Sequence, residues 1–287
     1  MILKYYLKRT LKDPVNLGML ILFPLAMISI MTFTMTSNVE DSFRLIDGFC
    51  IFGTGQTLSM AVFFMFFSGM IVTDTLYLEF RSDMRWRLMA SPQPFKKFVT
   101  AAILSSIIVS VFNSVVVLAF GALVLNATFD LIMVAVVFIT MGIFATLFGV
   151  LCFLLFPKKG TTTAVMMAFA FVQLLALNFG MMPMPAFGEI GIASFLPLVA
   201  GIIPLEVTNG MSFSTLPFDL DIYTMEQVYE QVAANANWHL LYTEDGFVVR
   251  DMLGTSPRMA WLHYGILAGY TALVGIAVAV LGRKRSI

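Results

Sequence analysis

Six long apolar blocks constrain this chain more than any other feature. They run Leu17–Thr36, Phe49–Val72, Phe98–Leu125, Leu131–Phe156, Thr161–Met182 and Met259–Leu281. Each reaches the about 20 residues that a helix needs to cross roughly 30 Å of hydrocarbon. The blocks predict an all-α membrane protein of six transmembrane helices. With 59% hydrophobic residues, 12% charged and a mean hydropathy of +0.90, no soluble domain of ordinary size fits between them. A single membrane domain over residues 1–287 is expected, with an interfacial helix at 1–14, a cytoplasmic loop at 73–97 and an outer segment at 183–257.

Charge gives the orientation. The 17 basic residues balance 17 acidic ones, so nothing global points to nucleic acid. Their distribution is uneven: 14 of the 17 basic residues fall before the first block, after the second, after the fourth and after the sixth. Only Arg44, Arg250 and Arg258 lie on the other side. Positive-inside bias then puts both termini in the cytoplasm of a multi-pass cell (plasma) membrane protein. The outer segment Pro183–Pro257 is acidic, which serves solubility or forms a vestibule for cationic solutes.

Before the first block, MILKYYLKRTLKDP sets Ile2, Leu3, Tyr6, Leu7 and Leu11 at helical spacing, with Lys4, Lys8 and Lys12 on another face. An apolar stripe beside a basic one suits a helix at the membrane interface. Asp13-Pro14 ends it. Pro24 should kink the first span. Basic residues up to Lys12 and the absence of a small-residue cleavage site argue against a cleavable signal peptide. Cys50 and Cys152 are too few for a disulfide framework and read as small packing residues.

The loop after the second block, DTLYLEFRSDMRWRLMASPQPFKKF, is polar yet patterned. Phe80, Met84 and Leu88 recur every four residues, and Arg81 and Arg85 share a neighbouring line. Asp83 stands four residues before Arg87, the favourable order for a helical ion pair. Trp86 sits between two arginines, and Ser91-Pro92 stops the helix. Such a helix either docks into a groove on a cytoplasmic protein or lies on the membrane surface.

Enzymatic chemistry finds little purchase. His239 and His263 are far apart, no H-E-x-x-H occurs, and no Cys/His cluster offers metal ligands. No Asp, Glu, Lys or Arg lies in the cores of the spans, which argues against an ion-coupled carrier. G-x-x-x-x-G-K-[ST] is absent, so this chain cradles no triphosphate. Gly265, Ala268, Gly269, Ala272, Gly275 and Ala279 form a small-residue stripe on the sixth span, read as packing within the bundle. Between the last two spans, apolar pieces broken by Pro183, Pro185, Pro197 and Pro204 are too short to cross and should dip in and return. A polar helix is expected over Tyr223–Trp238.

The order of basic amphipathic helix, Asp-Pro, a span with an early proline (KDPVNLGMLILFP) and two spans around E-x-R-x-x-x-R-W-R-L-M-A-S-P resembles a type-2 ABC exporter permease. The residues that carry the likeness in the loop are Glu79, Arg81, Arg85, Arg87, Leu88, Ala90, Pro92 and Lys96. The resemblance implies a second permease half, identical or related, and cytoplasmic ABC ATPase subunits docked on the loop helix through Glu79, Phe80, Arg81, Met84, Arg85, Trp86, Arg87 and Leu88. It implies no cofactor in this chain, with ATP and Mg on the partner ATPase. The solute path would lie between halves, along the first, second and fifth spans. That makes Gln56, Gln173 and Asn178 better path candidates than Asn113, with Phe64 and Phe171 in an adaptable apolar wall. The function expected is export of an apolar or amphipathic solute, a drug-like molecule or peptide. The alternatives are a non-transporting membrane assembly or immunity factor, or a secondary transporter.

Overall fold

A computed structural model describes residues 2–13, 18–37, 48–82, 85–86, 90, 95–125, 129–176, 196–208, 238–243, 246–251 and 257–284. Helix α1 (Ile2–Lys12) comes first. Its inward face carries Ile2, Tyr6 and Leu7, which pack on other helices, whereas Tyr5 and Leu11 remain exposed. At Pro24 the chain changes helix type. Gly18–Leu22 winds as a π turn, and α2 (Phe23–Ser37) starts one residue before the proline. The proline thus stands in a first turn, where a missing N–H leaves no bond unmade.

The second apolar block divides into α3 (Gly48–Phe66) and α4 (Ser68–Phe80), with a tight turn at Phe67. The Phe67 N–H donates to the Phe64 carbonyl at 3.1 Å and the Met70 N–H to the Phe67 carbonyl at 2.9 Å. Helix α4 then continues through Thr73–Phe80, residues whose polarity had placed them in the loop. Thr73, Leu76, Tyr77, Glu79 and Phe80 are all buried there. Their polar atoms find partners on neighbouring helices, so the stretch stays helical.

Helices α5 (Phe95–Val124) and α6 (Leu131–Leu155) follow. The start of α6 is set by Asp130, whose carboxylate accepts from the Ile132 and Met133 N–H groups at 3.0 and 3.3 Å. Helix α7 (Lys159–Ala176) leads to the short α8 (Pro197–Thr208) and the final α9 (Pro257–Lys284). Between the last two lies a two-stranded antiparallel hairpin, β1 (Trp238–Thr243) and β2 (Gly246–Asp251), with Trp238 opposite Asp251 and Thr243 opposite Gly246. Of the polar helix expected over Tyr223–Trp238, only Trp238 is described, and it opens a strand.

This is a predominantly helical, multi-pass membrane fold. Among the described residues, four helices are long and apolar enough to cross: Thr57–Phe80, Lys96–Val124, Leu131–Leu155 and Trp261–Arg283. Phe23–Thr34 is apolar but shorter. The main core joins α2, α3, α6, α7, α8 and α9 around Leu58, Phe64, Phe66, Met141, Phe144, Met166 and Leu198. A second cluster lies at one end of the bundle. There Ile2 from one terminus and Val278 and Leu281 from the other pack around Tyr6, Leu76, Phe80 and Phe153.

The small-residue stripe of α9 is not a packing seam within the described bundle. Around Gly265 and Gly269 nothing lies within 4 Å of where a side chain would begin, and only Gly275 faces a neighbour, Leu147. The tight helix contact is elsewhere. A β-carbon on Gly149 of α6 would collide with the Gly69 carbonyl oxygen of α4, so glycine alone permits that crossing.

Candidate functional site

The basic segments gather at the end of the bundle that holds both termini. Arg9 of α1 reaches Glu79, the next-to-last residue of α4, at 2.9 Å. The Glu79 side chain is only 6% exposed, against 31% for Arg9, so a carboxylate taken out of water here depends on that guanidinium. Tyr6 lies one turn before Arg9 on α1. Burial, and next the Glu79 charge, push its phenol well above the usual tyrosine range, which keeps it neutral. On the opposite flank Lys159 pairs with Asp74 at 3.0 Å, but both are about half exposed, and a pair in water contributes little.

Arg81 follows α4 directly and folds back onto the chain. Its guanidinium donates to the Phe156 carbonyl at 2.7 Å and to the Phe153 carbonyl at 3.0 Å. Those are carbonyls at the C-terminus of α6, where a cation satisfies orphan acceptors and meets the negative end of the helix dipole. The same group sits over the Phe153 and Tyr77 rings, 4.7 and 5.0 Å from their centroids. Tyr77 Oη, 2.7 Å from both the Phe156 carbonyl and Thr162 Oγ1, adds the start of α7 to the junction.

Of the residues expected to meet an ATPase, the structure therefore places Glu79, Phe80 and Arg81 in internal contacts. Phe80 does not share a helix with the residues after it, because α4 ends there and the chain turns at Arg81 and Ser82. A new helical turn begins beyond: the Arg85 N–H donates to the Ser82 carbonyl and the Ala90 N–H to the Trp86 carbonyl, both at 3.0 Å. Arg85 is exposed on it, and Trp86 is 75% exposed. Met84, Arg87 and Leu88, and with them the Asp83–Arg87 pairing, lie outside the described residues.

Within the spans, aromatic rings form a ribbon. Phe23 of α2 meets Phe64 edge-on at 5.5 Å, Phe64 meets Phe63 at 5.2 Å, and Phe63 meets Phe171 of α7 at 6.3 Å. The middle of the ribbon is buried, while Phe23 and Phe171 surface at its two ends, each about half exposed. Gln173, one turn beyond Phe169, is buried and committed. Its Oε1 accepts from the Leu198 N–H at 2.8 Å, and its Nε2 donates to the Phe169 carbonyl at 3.3 Å. It caps α8 from a different helix, so its amide is spent on structure. Asn178 lies outside the described residues, as does the side chain of Gln56.

Residues 48–280 match the family described as ABC-2 family transporter protein, a stretch holding α3 and nearly all of α9. The chain belongs to that family. No curated protein and no solved structure matches it. An ABC-2 transporter chain is a permease and carries no catalytic centre of its own. Among the described residues of this one, no group of three or more His, Cys, Asp and Glu is placed to hold a metal.

Two features of this ABC-2 chain escaped the sequence reading. The Arg81 clamp and the Gln173 cap join residues more than 20 positions apart, and no local pattern announces them. The hairpin carries only a weak signal, the strand-favouring Phe247, Val248 and Val249 of β2.

Proposed function

We propose that this chain is the six-span transmembrane half of an ATP-driven exporter for an apolar or amphipathic solute. One permease domain, with both termini cytoplasmic, works with a second half, the same or a related chain. The apolar residues that surface on α2 and α7 at the ends of the aromatic ribbon, Phe23 and Phe171, offer the solute a wall between halves.

The observation that carries this reading is the division of labour around α4. Glu79, Phe80 and Arg81 fasten the end of that helix to α1 and α6, and the next turn presents Arg85 and Trp86 outward. A large exposed aromatic beside a cation, mounted on a braced helix end, suits a groove on a cytoplasmic ABC ATPase, where aromatic and Arg anchors dominate binding. Force from ATPase closure would enter there, and the Arg81 junction hands it to α6 and α7. ATP and Mg stay on the partner.

The test is Trp86→Ala combined with Arg85→Glu. Losing such anchors costs about 2 kcal/mol or more, roughly a 30-fold drop in affinity. Co-purification with the ATPase and permease-stimulated ATP hydrolysis should both fall, with the spans inserted at normal yield. A complex of parental strength in that variant would remove the docking assignment and favour a helix lying on the membrane or a non-transporting assembly factor.

A further inference from the structure

Helix α1 turns its apolar side inward. Tyr6 and Thr10 are buried, Ile2 packs in the same cluster as Tyr6, and Arg9 on that side is taken by Glu79. At 3.6 residues per turn, Leu11, Lys4, Lys8, Lys12 and Tyr5 stand side by side over about a third of the helix circumference. All five are exposed, Tyr5 at 54% and Leu11 at 42%. The outer arc is therefore a line of three lysines with an apolar side chain on each edge. The helix contains no acidic residue, and among the described residues no carboxylate pairs with Lys4, Lys8 or Lys12.

Packing fixes the level at which this arc lies. Ile2 and Tyr6 share their cluster with Phe80, Phe98, Phe153, Leu154 and Leu281. Each of these stands within two residues of one end of a crossing stretch, Thr57–Phe80, Lys96–Val124, Leu131–Leu155 or Trp261–Arg283. Where four such stretches terminate together the bilayer has its headgroups, so α1 runs at headgroup depth. A lysine there extends its stem to reach phosphate oxygens, while a tyrosine or leucine beside it enters the acyl edge. The Tyr5 ring meets the buried Tyr6 ring edge-on at 5.5 Å, which holds it on the outer side.

We propose that the outer arc of α1 binds the headgroups of anionic phospholipids, with Lys4, Lys8 and Lys12 on successive phosphates and Tyr5 and Leu11 at the top of the acyl chains. The occupant is lipid, because a soluble phosphate or an acidic peptide would leave Tyr5 and Leu11 in water. The apolar stripe that suits α1 to the interface is thus spent on the bundle, and the basic side meets the lipid. Nothing in this assignment depends on the export reading.

Photo-crosslinking of the purified full chain in mixed phosphatidylglycerol and phosphatidylcholine nanodiscs tests it. Trace phosphatidylglycerol or phosphatidylcholine, each with a diazirine near the top of one acyl chain, is irradiated and the adducts are mapped by peptide mass spectrometry. One basic residue at an anionic surface favours binding by about fivefold, so capture on Ile2–Lys12 should prefer the phosphatidylglycerol probe by at least about that factor. Capture around Leu273 and Ile276, exposed within the α9 span, should show no such preference. The combined Lys4→Gln, Lys8→Gln and Lys12→Gln variant should lose the preference on α1, and the matching Lys→Arg variant should keep it. Raising salt from about 0.1 to 1 M should weaken it in the parent, which decides the matter if the glutamine variant inserts poorly. Equal capture of the two lipids on α1 would overturn the proposal. So would no lipid adduct there, which would turn the arc to the cytosol or to a protein, or a preference indifferent to both charge removal and salt.

Discussion

Helix α6 is flanked by two seams of opposite character. Against α4 it is closed and saturated: Gly69 and Gly149 bring the backbones together, and Thr73 Oγ1 shares its proton between the Gly69 and Gly149 carbonyls at 2.7 and 3.0 Å. Against α5 it is polar and looser: Gly142 faces the Ser110 side chain, Thr146 Oγ1 reaches Ser106 Oγ only at 3.5 Å, and Ser110 Oγ is buried without a protein partner. Both seams contain glycine and hydroxyl residues, so composition does not separate them. What differs is what stands against the glycine: a neighbouring backbone at Gly149, and the side chains of Ser110 and Met65 at Gly142. In the first case the helices are keyed in one register. In the second the contact is with side chains, Met65 among them, which can give way by rotation.

The largest effect should come from the keyed seam. Gly149→Leu drives a side chain into the Gly69 carbonyl, which forces α4 from α6 and costs more than about 4 kcal/mol, enough to abolish a folded product. Gly142→Ala, an added methyl on the same helix, should keep a monodisperse protein within a few degrees of the parental melting temperature. If the two substitutions destabilise equally, the distinction between the seams is lost.

A smaller loss is expected at the base of α4. Arg9→Ala leaves the Glu79 charge buried without its partner, at about 3 kcal/mol. Adding Glu79→Gln should recover part of that loss, as measured by thermal unfolding in detergent. Full stability in Arg9→Ala alone would show that Glu79 is held by other groups. Gln173→Leu should cost less again, about 2 kcal/mol, by stranding the Leu198 N–H in the core. The expected signature is faster proteolysis around α8 with intact insertion, whereas changed solute preference at parental stability would return Gln173 to the solute path.

The sequence was informative wherever the cause of a structure is local. The apolar lengths of α5, α6 and α9 read almost directly, and Asp130 sits where a helix start needs an acceptor. Pro24 marked a discontinuity, though its outcome is a π turn followed by a fresh helix start. Elsewhere the cause is distant. Ser68-Gly69 permits the break at Phe67, but the Ser68 carbonyl is taken up by Ser106, 38 residues on. Thr73–Phe80 reads as loop because Asp74 and Glu79 interrupt the apolar run, yet Arg9, 70 residues earlier, makes Glu79 tolerable inside the bundle. Arg81 matched the expected pattern of a docking residue, while its guanidinium serves carbonyls more than 70 positions away. Trp86, between two arginines in the loop sequence, is 75% exposed.

The central claim is that the turn bearing Arg85 and Trp86 touches an ABC ATPase. A photo-reactive phenylalanine analogue at position 86, irradiated in intact cells, tests it most directly, because the adduct reports what lies against that side chain. The account predicts a covalent adduct with one ABC ATPase subunit, identified by its peptide masses, whose yield changes when ATP is depleted. Adducts with lipid alone, at normal expression of both proteins, would contradict it.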